Sequence, residues 1–124
     1  MAALTDVVLD GALNILTSNG DRIDLCSSEP TTYSGISSVS LGNFTSLSIG
    51  SAADRSGGGR EVTVAAITSA SAGSITGTGT ATHYAISNGS DALYATGTLS
   101  ASQSVTTGNT FTLAAFTIGI PDPA

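Results

Sequence analysis

The sequence predicts a mainly β protein, an antiparallel β-sandwich of six or seven strands, Ig-like or jelly-roll-like, with one N-terminal helix. Three observations predict this class. Short runs of alternating apolar and polar residues recur roughly every ten residues, turn residues separate them, and helical periodicity is confined to the first part of the chain. The apolar side chains are mostly small, so the core should be thin, as it is between two packed sheets.

The length of 124 residues favours one compact β domain after a helical segment. We expect the helical segment at residues 1–20 and the sandwich at residues 21–124. Hydrophobic residues make up 40% of the chain and charged residues only 10%, a balance typical of a folded chain and not of a disordered one.

The helix is predicted over residues 5–18, with Thr5 or Asp6 as its N-cap and Asn19-Gly20 as its C-terminal stop. Such a helix needs a surface to pack on, which is either its own β domain or a neighbouring subunit. Its apolar stripe consists of Leu9, Leu13 and Leu16, widened by Val8, Ala12 and Ile15.

The strands follow from residue 21. The first strand ends at Glu29-Pro30. The second should contain a bulge or bend near Gly42-Asn43. Three consecutive glycines then predict a loop before the third strand. Asn88-Gly89 between two alternating runs predicts a hairpin, and Gly108-Asn109 predicts a turn into the last strand. The strand segments are 21–28, 39–50, 60–68, 80–87, 91–100 and 110–120, with 69–79 as a linker or short strand.

The charge of the chain argues against several partners. Three arginines and no lysine face nine acids, a formal net charge of −6, so there is no electrostatic basis for binding a phosphate backbone or an anionic membrane. There is no run of 18 apolar residues to span a bilayer and no basic N-terminal region of a secretory signal, so we expect no export.

Catalytic and metal-binding patterns are also weak, and we expect neither an enzyme nor a bound cofactor or metal. The single histidine, His83, would have to serve any catalytic triad, and no G-x-S-x-G nucleophile elbow is present. Asn88, Asp91 or Asp54 could contact a hard cation, but no calcium-loop motif contains them. Cys26 has no cysteine to pair with and reads as a small buried hydrophobe.

Several segments together resemble a known class of proteins. The runs NGDRIDLCSSEPTTY, GREVTVAAI, GTGTATHYAIS, LYATGTL, QSVTTGNTF and FTIGIPDPA are similar to small structural proteins encoded beside the capsid and tail genes of tailed bacteriophages. The resemblance extends from about residue 16 to the end and includes no catalytic signature.

The resemblance implies a virion component, namely a capsid decoration or cement protein. Its expected partner is the major capsid protein, its expected state is a homo-oligomer such as a trimer, and its expected location is the capsid surface after assembly in the bacterial cytoplasm. Candidate contact residues are the tyrosines of the hairpin, its turn residues, the arginines of the glycine-rich loop and the residues of the C-terminal tail. They are Tyr84, Tyr94, Asn88, Asp91, Arg55, Arg60, Ile120 and Pro121, with Gly89, Ser90, Asp122 and Pro123 beside them.

Two other functions remain open from the sequence. The same fold could be a tail component of a phage, in its tube, fibre or baseplate. It could also be a carbohydrate-binding module, for which Tyr84 and Tyr94 would have to lie on one exposed face with polar groups beside them.

Overall fold

The computed structural model describes residues 4–121, and the protein is mainly β, as the sequence predicts. The candidate tail residues Asp122 and Pro123 lie outside the described residues. The elements in chain order are α1 (Asp6–Asn19), β1 (Arg22–Cys26), α2 (Tyr33–Val39), β2 (Ser40–Phe44), β3 (Ala53–Asp54), β4 (Arg60–Val64), a 3-10 turn (Ser69–Ser71), β5 (Gly73–Ile75), β6 (Gly79–Ser87), β7 (Leu93–Val105), β8 (Thr110–Phe111) and β9 (Phe116–Ile120).

The strands form two antiparallel sheets of unequal width. The large sheet has six strands in the order β7-β6-β1-β2-β5-β8, and the small sheet has three in the order β3-β4-β9. The main hydrophobic core includes residues from both sheets, with Ile23 and Ile86 from the large one and Val62 and Val64 from the small one. The expectation of two sheets around one thin core is confirmed.

Strand β1 is central in the large sheet. It pairs with β2 on one side and with β6 on the other, and Leu41 is the extra residue where the register with β2 shifts. The bulge expected near Gly42 is therefore present. Strands β6 and β7 form the predicted hairpin, whose connection spans residues 88–92.

Helix α1 packs on its own β domain, which settles the choice that the sequence left open. Thr5 is its N-cap residue and Gly20 its C-cap, and the Thr17 hydroxyl donates to the backbone oxygen of Gly50 at 2.8 Å. Only the Leu9, Leu13 and Leu16 stripe is buried.

The predicted widening of that stripe is wrong. Val8, Ala12 and Ile15 are exposed, because the small sheet is narrow and contacts only one side of the helix. Their exposure leaves a second apolar side of α1 uncovered.

Two further features differ from the sequence prediction. Helix α2 was not predicted; the Thr32 hydroxyl caps it by accepting from the Gly35 backbone N–H at 3.1 Å, and it covers the outer face of the large sheet through Ile36. The segment 110–120, predicted as one strand, divides into β8 in the large sheet and β9 in the small one, because the chain crosses from one sheet to the other at residues 112–115. With this division, and with the two-residue strand β3 between the predicted segments 39–50 and 60–68, the described residues contain nine strands.

Candidate interaction surfaces

The outer side of α1 is an apolar surface that the sequence did not single out. In residues 4–121, the exposed large hydrophobic side chains all belong to α1 or lie just before it: Leu4 (46%), Val7 (81%), Val8 (53%) and Ile15 (48%). Val8, Ala12 and Ile15 are spaced by four and three residues, so they align along the helix, and Leu4 lies just before its N-cap. We call the surface formed by Leu4, Val7, Val8, Ala12 and Ile15 the α1 outer face.

The polar side of α1 faces the small sheet. Arg60 at the start of β4 donates from Nε to Asp10 Oδ1 at 2.8 Å and from Nη1 to Asp54 Oδ1 at 2.6 Å. Its Nη1 also lies 3.9 Å from Oδ2 of Asp6. The hydrogen bond that Arg60 donates to Asp10 is the largest cause that raises the pKa of Arg60. The carboxylates of α1 are thus directed toward β4, and no charge lies among the residues of the α1 outer face.

The candidate residue Arg55 stabilises the glycine-rich turn between β3 and β4. Its Nη1 donates to the backbone oxygen of Gly58 at 3.1 Å, and its side chain lies over Gly119, where a Cβ would come within 2.9 Å of it. Both Arg55 and Arg60 therefore have local structural roles.

The tip of the β6–β7 hairpin is a self-contained turn. The side-chain oxygen of Asn88 accepts from the backbone N–H groups of Ser90, Asp91 and Ala92 at 2.9, 2.9 and 3.1 Å, and its amide donates to Asp91 at 2.7 Å. Gly89 has φ of +76°, a conformation that favours glycine. The polar atoms of the two candidates Asn88 and Asp91 are thus largely used within the turn.

The two candidate tyrosines line different depressions. Tyr84 on β6 contacts Phe116 on β9, with ring centroids 4.8 Å apart, and lies over Gly97 of β7, where a Cβ would be 2.5 Å from the ring. Burial raises the pKa of the Tyr84 phenol. Tyr94 lies instead beside Glu29 and Pro30, close to the tip of the hairpin. The two rings do not form the shared platform that sugar binding was expected to need.

A groove of about 500 Å³ lies between β7 and the segment that leads into β9. Its large apolar side chains are Tyr84, Leu99, Leu113 and Phe116. The remaining lining residues, none of them charged, are Thr98, Ser100, Gln103, Thr112, Ala114, Ala115 and Thr117.

The candidate tail residues Ile120 and Pro121 lie at the end of β9. Ile120 pairs with Arg60 in the small sheet and packs against the main core, whereas Pro121 is exposed. Ile120 is therefore a strand residue and not part of a free tail.

An ion pair on β1 between the buried carboxylate of Asp24 and the partly exposed Arg22 was missed by the sequence analysis. Asp24 is fully buried and accepts two hydrogen bonds from Arg22, at 2.9 and 3.0 Å, and one from the Ser40 hydroxyl at 2.7 Å. The hydrogen bond to Asp24 raises the pKa of Arg22. A small cavity of about 140 Å³ adjoins the pair and is lined also by Tyr33 and Ser37 of α2. Because α2 was not predicted, nothing in the sequence pattern indicated that this face of β1 is covered.

His83 and Cys26 are neighbours across β1 and β6. The Thr82 hydroxyl donates to the backbone oxygen of Ser27 at 3.0 Å, so at 2.9 Å it can accept from Nδ1–H of His83, which assigns the proton to that nitrogen. Cys26 is fully buried, and burial raises the pKa of its thiol to about 12. In this protonation state the thiol is a poor nucleophile.

No group of three or more His, Cys, Asp or Glu residues within residues 4–121 is arranged to hold a metal ion. None of the helices in the same range is long and apolar enough to cross a membrane. Comparison of the chain with protein-family models, with curated proteins and with solved structures gives no match.

Proposed function

We propose that the protein is a non-enzymatic virion structural protein, a capsid decoration or cement protein that binds the outer shell and bridges major capsid protein subunits. The resemblance of its sequence to small structural proteins of tailed bacteriophages supports this proposal. The observation that carries it in the structure is the α1 outer face, where the exposed large hydrophobic side chains of residues 4–121 are gathered.

An apolar surface of this kind suits a protein whose partner is another protein. Exposed apolar patches on soluble proteins often mark interaction sites, and burial of one valine or isoleucine contributes roughly 1.5–3 kcal/mol. Four such side chains give a modest interface for one copy. On a capsid, identical sites recur across the lattice, so an oligomer that engages several of them at once binds far more tightly than one copy.

The occupant of the α1 outer face is, in this proposal, an apolar patch on the capsid shell. The ion pairs of Arg60 keep Asp6 and Asp10 on the opposite side of the helix, so the shell meets no carboxylate of α1 there. We also expect the free protein to be a homo-oligomer, such as a trimer, and sedimentation equilibrium would measure its mass.

The test is co-sedimentation of the purified protein with capsid shells stripped of accessory proteins, followed by imaging of the pelleted particles. We expect saturable binding and regular density on the shell. The variant Val7→Asp/Val8→Asp should bind at least about tenfold more weakly, because two apolar contacts are lost and two carboxylates are desolvated.

The control is Ser38→Asp on α2, which adds a carboxylate at an exposed position away from the α1 outer face. Acidic residues near a helix N-terminus do not destabilise the helix, so the α1 variant should remain folded, as circular dichroism would verify. If the wild type fails to bind shells yet is present in virions, the tail-component function replaces this one. If Val7→Asp/Val8→Asp binds like Ser38→Asp, the α1 outer face is not the contact.

A further inference from the structure

We propose that the free edge of β9, together with the groove beside it, accepts an extended, uncharged segment of a partner polypeptide as a fourth strand of the small sheet. The site is separate from the α1 outer face, and the inference does not depend on the proposed function.

The hydrogen bonds of β4 show which backbone groups of β9 are free. The N–H of Gly50 donates to the Thr63 oxygen at 3.0 Å, and the N–H of Ala65 donates to the Ser48 oxygen at 2.9 Å. Residues 63 and 65 therefore direct their backbone groups away from β9, and Val62 and Val64 direct theirs toward it, since the direction alternates along a strand.

The partners of Val62 and Val64 in β9 are Ile118 and Phe116, which use their backbone groups on β4. Thr117 and Gly119 consequently direct their N–H and C=O groups outward. Both residues are exposed, and among the described residues neither forms a backbone hydrogen bond on that side. The outer edge of β9 thus offers two donors and two acceptors in the spacing that a new strand needs.

The β9 edge lacks the features that usually prevent strand addition. Its register with β4 is regular, without a bulge, and the strand contains neither proline nor a charged residue. The opposite edge of the same sheet is different, because β3 has only two residues and Asp54 there is paired with Arg60. Of the two edges, β9 is the one open to pairing.

The groove provides room for the added strand. Thr117 and Phe116 lie on its β9 side, residues 98–100 and Gln103 of β7 on its other side, and its volume of about 500 Å³ is in the range of ligand sites, roughly 300–1,000 Å³. Inward side chains of the added strand would contact Tyr84 and Leu99 of the large sheet. No lining residue is charged, so a charged side chain in the groove would be desolvated without a partner, and the segment must be uncharged there.

The geometry favours a single extended segment over a second copy of β9. If two copies of the protein paired their β9 strands antiparallel, a two-fold axis perpendicular to the small sheet would relate them. Both large sheets would then lie on the same side of the joined small sheets. That side is already occupied by β7, which forms the far wall of the groove. A chain terminus or an extended arm of a partner brings no such sheet with it.

The test uses NMR with a library of capped seven-residue peptides built from Ala, Val, Thr, Ser and Leu. We expect the Thr117 and Gly119 amides to exchange rapidly in the free protein, because neither has an acceptor on the outer side, and we expect members of the library to bind and to slow this exchange. Thr117→Pro removes one outward donor and no bond to β4, so it should weaken binding roughly tenfold or more while the protein stays folded.

The matched control is Thr117→Val, which removes the hydroxyl but keeps the backbone donor, and it should bind as the wild type does. The proposal is overturned if no library member binds up to millimolar concentration, or if Thr117→Pro binds peptide normally. Self-association that Thr117→Pro abolishes, without peptide binding, would assign the edge to a second copy instead. Binding of a neutral glycan in the groove that Thr117→Pro leaves unchanged would also contradict strand addition.

Discussion

Strands β1 and β9 have five residues each and opposite environments. Strand β1 is paired on both sides and covered on both faces, so even the carboxylate of Asp24 is fully buried. Strand β9 is paired on one side, and Thr117 and Gly119 are exposed. From this difference we expect β1, which has no unpaired edge, to contribute more to stability than β9. A new backbone contact with another polypeptide can form only at a strand such as β9, whose outer edge is unpaired.

The largest expected effect is at the ion pair of β1. Arg22→Met keeps much of the packing of the side chain but leaves the Asp24 carboxylate buried without a cation, which should cost roughly 3–5 kcal/mol of the free energy of unfolding. Urea denaturation would measure the loss. The double variant Arg22→Met/Asp24→Asn, which removes the lone charge, should recover part of it; a single variant as stable as the wild type would show that the pair does not matter.

The next effect compares one isoleucine from each strand. Ile23→Ala in β1 should cost roughly 3 kcal/mol because the side chain is fully buried, whereas Ile118→Ala in the half-buried β9 should cost roughly 1 kcal/mol. Both are measured by the same urea titration. Equal losses would contradict the contrast between the two strands.

A smaller effect should appear at alkaline pH through Cys26. In the unfolded chain the thiol loses its proton above about pH 8.5, whereas the folded protein keeps it until pH about 12. The folded state then binds more protons, so stability should fall with rising pH by up to about 1.4 kcal/mol per unit in this window. In Cys26→Ala the decline between pH 9 and 11 should be shallower by that amount, and parallel curves for the two proteins would disprove the assignment.

The smallest effect is expected at the β9 edge. Thr117→Pro should lower the free energy of unfolding by less than about 1 kcal/mol, because the N–H that it removes has no acceptor in the described residues. Thermal unfolding beside Thr117→Val tests this. A loss as large as that of Ile23→Ala would mean that the edge is already paired within the protein.

The elements that the sequence predicted well depend on local signals. Helix α1 has its N-cap, its buried leucines and its terminal glycine within one segment, and the β6–β7 hairpin has Asn88-Gly89 between alternating runs. Such features form from neighbours in the chain, so a single sequence contains them.

The features that were missed depend on tertiary contacts. The burial of Asp24 was missed because alternation along β1 cannot show that α2 covers that face of the strand. The exposure of Val8 and Ile15 follows from the narrowness of the small sheet, and the groove follows from the difference in width between the sheets. Of the eight candidate contact residues, Asn88, Asp91 and Arg55 form hydrogen bonds within their own turns, and Arg60 links α1 to the small sheet through Asp10.

The strand order of the large sheet also determines when the protein can fold during synthesis. Arg22 of β1 pairs with Ser87 and Cys26 with His83, so the second neighbour of β1 is translated long after β1 itself. Pairing between such distant segments closes long loops and is slow. We therefore expect Ile23 and Leu25 to stay partly uncovered on the nascent chain until β6 is made, and the local β6–β7 hairpin to form before β1 docks on it.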